Sequence, residues 1–105
     1  MASSRIEKLR AFIESRPEDP FPRYALALEY KNAGQLATAW ETFEVLLGAH
    51  PDYTASYLHA GNTLAAMGRP AEARDVWQRG VQACLRKGDH HARGELEAAL
   101  AGTVA

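Results

Sequence analysis

Residues 20–51 read PFPRYALALEYKNAGQLATAWETFEVLLGAHP, and residues 54–85 read TASYLHAGNTLAAMGRPAEARDVWQRGVQACL. Laid over one another at a shift of 34, the two stretches match at Gly34/Gly68, Ala39/Ala73, Phe43/Trp77 and Leu47/Val81, and Pro17/Pro51 share the spacing. A period of this length is the signature of stacked repeats, in which each unit buries its apolar face only against its neighbours. Stacks of that kind present an extended concave surface and work mostly as binding scaffolds.

Working outward, the whole chain reads as helix. Ile6, Leu9, Phe12 and Ile13 fall at helical spacing within residues 4–16. Pro17 ends that helix, because proline disfavours the helical region for the residue before it. Asp19-Pro20 reads as an N-cap followed by a first-turn proline, with Pro22 in the same turn. The helix it opens carries Tyr24, Leu26, Ala27, Leu28 and Tyr30 and runs to about Ala33, where Gly34 stops it. Leu36, Ala39/Trp40, Phe43 and Leu46/Leu47 make the inward stripe of a helix over 36–49, closed by His50-Pro51. The pattern restarts with a helix over about 54–67, ended by Gly68. Pro70 opens the next, which runs to about Lys87 with Ala73, Val76/Trp77, Val81 and Cys84/Leu85 inward. Gly88 closes it and Asp89 caps a final helix with Ala92, Leu96, Ala99 and Leu100 on one stripe. The tail from Gly102 is expected to fray. No alternating strand pattern appears, so the fold class is all-α, with six helices.

Composition narrows the function. A chain of 105 residues forms one domain, and its 47% hydrophobic and 24% charged content is that of a globular protein. A net charge of -1, with Arg86-Lys87 as the longest basic run, argues against nucleic acid and membrane surfaces as partners. One cysteine, Cys84, excludes an intrachain disulfide. The start, Met1-Ala-Ser-Ser-Arg, lacks the apolar segment of a secretory signal, and no window reaches the roughly 18 apolar residues of a membrane span. A cytoplasmic location is the expectation.

The helix pairs resemble the tetratricopeptide repeat (TPR), whose pattern is W-x2-L-G-x2-Y, then A-x3-F, then P. Here Arg23-x2-Leu26-Ala27-x2-Tyr30, Ala39-x3-Phe43 and Pro51 form one copy. Tyr57-x2-Ala60-Gly61-x2-Leu64 and Ala73-x3-Trp77 form the second, with Leu85 where a proline would stand, which implies a longer final helix. The resemblance implies a right-handed α-solenoid of antiparallel helix pairs. It divides the chain into an N-terminal half-repeat helix (5–17), a first repeat (20–53), a second repeat (54–87) and a capping helix (89–101). Arg93, Glu95 and Glu97 give that cap its wet side. Small residues at Ala27, Gly61, Ala39 and Ala73 let helices approach, and Tyr30, Phe43, Tyr57 and Trp77 fill the space around them.

Candidate chemistry is sparse. Asp52, Ser56 and His59 near one helix start read as a capping Asp and two surface polar residues rather than a triad. His90-His91 beside Cys84 make a poor metal site, because adjacent helical residues point about 100° apart. Glu41, Glu44, Glu72, Asp75, Glu95 and Glu97 read as solvated faces. Trp40 is expected to pack against the N-terminal helix. No metal, cofactor or catalytic set is expected, and the chain does not read as an enzyme. By the resemblance, Phe21, Tyr24, Leu28 and Lys31 on one helix, and Ala55, Leu58, Asn62 and Ala65 on another, line the concave groove. Packing on neighbouring helices is the other reading of Phe21, Tyr24 and Leu28. The positions of a Lys/Asn/Arg carboxylate clamp hold Tyr24 and Leu28, so the groove is apolar rather than ionic. The expected function is a protein-interaction module that receives a peptide or helix of a partner. The alternative is self-association through a second copy, or service as a section of a longer array.

Overall fold

The computed structural model describes residues 4–102, and the frayed tail expected beyond Gly102 lies outside them. Six helices follow in order: α1 (Ser4–Ser15), α2 (Pro20–Asn32), α3 (Leu36–Ala49), α4 (Ala55–Ala66), α5 (Pro70–Lys87) and α6 (His90–Ala101). No strand occurs among the described residues. Short-range chemistry sets the boundaries. The Asp19 carboxylate accepts from the Phe21 N–H at 3.1 Å, and Asp89 accepts from the Ala92 N–H at 3.1 Å, so α2 and α6 are capped as expected. Gly34 and Gly68 adopt φ +79° and +75°, the left-handed turn that a side chain disfavours. There Gln35 N–H donates back to the Tyr30 carbonyl at 2.9 Å, and Arg69 N–H to that of Leu64 at 3.0 Å. The same device thus recurs 34 residues later.

The elements stack as an all-α solenoid of antiparallel pairs. Each helix packs on the next, and α4 also touches both α2 and α6, whereas α1, α3 and α5 do not touch one another. Helices on the inner radius of a curved stack lie closest, so α2, α4 and α6 line the concave side. The outer helices diverge and leave clefts of about 460 Å³ between α1 and α3 and about 360 Å³ between α3 and α5.

Two core clusters hold the stack. Ile6, Leu9, Ala25, Leu26, Tyr30 and Ala39 join α1 to α2 and α3. Ala27, Phe43, Tyr57, Ala60, Leu64, Ala73, Trp77, Cys84 and Leu96 belong to the larger one, which spans α2 to α6. Ala39 and Ala73 are fully buried, as their repeated small size requires. Trp77 lies flat over Gly61, and its indole N–H donates to the Leu58 carbonyl at 3.2 Å. Gly80, on the α5 turn after Trp77, permits a second close approach and is wedged between Tyr57 and Leu96.

Several sequence expectations need correction. Phe12 and Leu85, placed on inward stripes, are 53% and 52% exposed, because the half-buried Ile13 and the buried Cys84 take the contacts. Trp40 packs not on α1 but on the larger cluster, lining the α3–α5 cleft with Leu64 and Val76. Asp52 does not cap α4; it pairs with Arg86 at 3.1 Å, and the N-cap position belongs to Thr54. The Thr54 hydroxyl reaches across to Asp89 at 2.6 Å. Ser56 is fully buried and His59 half-buried, not surface residues. The final helix of the pair is longer, as Leu85 suggested: α5 has 18 residues against 14 in α3.

Candidate binding face

A helix presents one stripe at i, i+3, i+7 and i+10. On α2 that stripe is Phe21, Tyr24, Leu28 and Lys31, and on α4 it is Ala55, Leu58, Asn62 and Ala65. The remaining faces of α4 are committed: Ser56, Ala60, Thr63 and Leu64 are buried. On α6 the inward stripe Ala92, Leu96, Ala99 and Leu100 repeats those four positions 36 residues on. The face equivalent to Ala55–Ala65 is therefore His91, Gly94, Ala98 and Ala101, all exposed. Three helices, not two, line the concave side. Side chains shrink across it, from Phe, Tyr, Leu and Lys on α2 to His, Gly, Ala and Ala on α6.

The sequence-derived residues differ in how freely they stand. Phe21 is 59% exposed, whereas Tyr24, Leu28 and Leu58 are half-buried and pack on the larger core cluster. Lys31 and Asn62 are half-buried and Ala65 is exposed. The aromatic stripe divides: Tyr24 and Leu28 belong partly to the packing, and Phe21 stands out from it.

Toward the start of α2 the face holds a ring cluster. Tyr24 meets Tyr53 edge-on with centroids 5.5 Å apart, and lies 6.0 Å from the His59 ring and 6.5 Å from Phe21. Burial raises the Tyr24 hydroxyl above the usual phenol range, with Tyr53 and Glu95 adding to it. Burial also raises Tyr53, helped by Asp19. His59 moves the other way: burial, then the Lys31 charge, lower its imidazole, and Glu95 offsets this only incompletely. Its Nδ1 is buried without a hydrogen-bond partner. A bare acceptor is cheaper to bury than an orphan N–H, so burial at Nδ1 works against the charged ring, which would carry a proton there. Tyr53 escaped the sequence reading, and His59 entered it only as a surface polar residue. Tyr53 lies in the connection before α4, and no helical stripe points to it.

Nothing in this region resembles a reactive centre. Burial pushes the Cys84 thiol up, which disfavours the nucleophilic thiolate. His90 and His91 are exposed, and among the described residues no group of three His, Cys, Asp or Glu side chains could hold a metal ion.

No protein-family model matches the chain. A TPR repeat-containing protein of Pseudomonas aeruginosa is 28% identical over 91 residues, which cover 87% of each chain. The solution structure of a tetratricopeptide repeat domain protein from Salinibacter ruber superposes with a TM-score of 0.76 at 34% identity, covering 81% of this chain and 86% of that one. A solution structure of a protein from Bordetella parapertussis gives a TM-score of 0.79 at 27% identity over 96% of this chain and 87% of that one.

Proposed function

This chain belongs to the tetratricopeptide-repeat family, and we propose that it works as a protein-interaction module whose concave face receives a peptide or helix of a partner protein. Members of the family generally serve protein–protein interaction. The observation that carries the reading is the three-helix face itself. Its aromatic wall on α2 ends in Phe21, a large ring left 59% exposed. Opposite it, α4 and α6 offer mostly small side chains, which leaves room for an incoming segment. Large apolar side chains exposed in a concave setting mark contact surfaces.

Affinity capture from the native cell tests this. Phe21→Ala together with Lys31→Glu is expected to lose the captured partner while keeping the parent's melting temperature. Val45→Ser, on the 57% exposed Val45 of the outer helix α3, is expected to retain it. Capture unaffected by the double variant would refute the concave site. Sedimentation of the purified protein decides the remaining alternative, since a groove occupied by a second copy gives a dimer that the same double variant dissociates.

A further inference from the structure

The backbone N–H groups at the start of α2 offer nothing to an anion, and a cation that lines this end, Arg16, shares its pocket with Asp19. Helix N-termini attract anions through their orphan N–H groups, but here those groups are spent or missing. Asp19 N–H donates to the Arg16 carbonyl at 3.1 Å, Phe21 N–H donates to the Asp19 carboxylate at 3.1 Å, and Pro20 and Pro22 have no N–H. What this end presents instead is aromatic. Phe21, Tyr24 and Tyr53 follow one another at centroid spacings of 6.5 and 5.5 Å, with Phe21 open to solvent. The Asp19 carboxylate, bonded to the Phe21 N–H, acts on Tyr53, and Glu95 of α6 acts on Tyr24. His59, whose ring lies 6.0 Å from that of Tyr24 and could supply a competing charge, is disfavoured from taking one up by its burial. Lys31 sits in the last turn of α2, at the other end of the helix.

The geometry points to a cation site: resting on the groove reading above, we infer that Phe21, Tyr24 and Tyr53, edged by Asp19 and Glu95, receive an arginine or lysine side chain of the partner segment. Ring faces attract a cation within about 6 Å of the centroid, and nearby carboxylates add a Coulomb term. A guanidinium suits the corner best, since it is planar and stacks on a ring while donating to a carboxylate.

The test uses the intact protein and two blocked tripeptides, Ala-Arg-Ala and its citrulline analogue, which keeps shape and loses charge. Titration followed by ring-proton NMR is expected to move Phe21, Tyr24 and Tyr53 with the arginine peptide only. Glu95→Gln is expected to weaken the effect several-fold, and Phe21→Ala to abolish it with an unchanged melting temperature. Added salt should weaken the interaction. Equal shifts from the citrulline peptide, shifts confined to other residues, or none at tens of millimolar would each overturn the cation site. They would leave the groove reading standing, because that one falls only if capture survives Phe21→Ala with Lys31→Glu.

Discussion

A methyl group added to Gly61 would lie 2.1 Å from the indole nitrogen of Trp77, closer than any real contact. Gly61→Ala must therefore push the indole off its bond to the Leu58 carbonyl, and overpacking of that kind costs about 1–3 kcal/mol. Gly94 makes the contrast: nothing lies near its missing side chain, so Gly94→Ala gains helix propensity and stabilises by about 0.5–1 kcal/mol. Thermal melts of the two variants should move in opposite directions. His59 gives a second test at this scale. Its pKa is lowered below 6.5 on folding, so the native state binds fewer protons than the unfolded chain just below that value. Stability is therefore full above pH 6.5 and declines as the pH falls below it, levelling off beneath the folded value. Melts across this range should show the decline in the parent and its loss in His59→Gln. Asp89, lowered from 3.8 by its bonds to Thr54 and Ala92, acts in a separate and more acidic window: its contribution is lost as the pH falls through the folded value.

Elements were the most legible level, because what bounds them is local. Asp19-Pro20, Gly34, His50-Pro51, Gly68 and Gly88 each act within a turn of the chain, and the observed helices end within two residues of where these signals stand. The recurring small residue was equally readable. Ala39 and Ala73 are fully buried at the helix crossings, so Ala39→Leu and Ala73→Leu should each cost about 1–3 kcal/mol in denaturant unfolding. The candidate face was drawn on only two of its three helices. Its α2 and α4 positions came from the resemblance to the repeat family, but α6 lies two residues out of step with the 34-residue period, because α5 runs on to Gly88. Counting in steps of 34 therefore stops at α4 and takes the last helix for a cap alone. The burial of Ser56 and the half-burial of Tyr24 depend on neighbouring helices, and no local pattern announces them. For that reason Tyr24→Ala with Leu58→Ala should lower the melting temperature while leaving a helical fold. Unfolding of that pair at room temperature would show that the stripe is core and not contact surface.

At the scale of the molecule, polar ties between distant stretches of the chain are unequal in strength. Arg86 and Asp52, 34 residues apart, are both more than half exposed, and a pair of that kind contributes roughly 0–1 kcal/mol. Asp52→Ala should scarcely change the melt. Asp89→Ala should lower it more, because the same carboxylate caps α6 and anchors Thr54 ahead of α4. The arrangement of layers has a mechanical consequence. The stack is bound along its inner edge, where α4 touches α2 and α6, and unbound along its outer edge, where clefts separate α1, α3 and α5. Like a book held by its spine, such a stack meets least resistance to a fanning of its outer leaves, which alters the radius of the inner edge and leaves the helix pairs packed. The curvature of the stack is therefore the coordinate we expect to vary most readily.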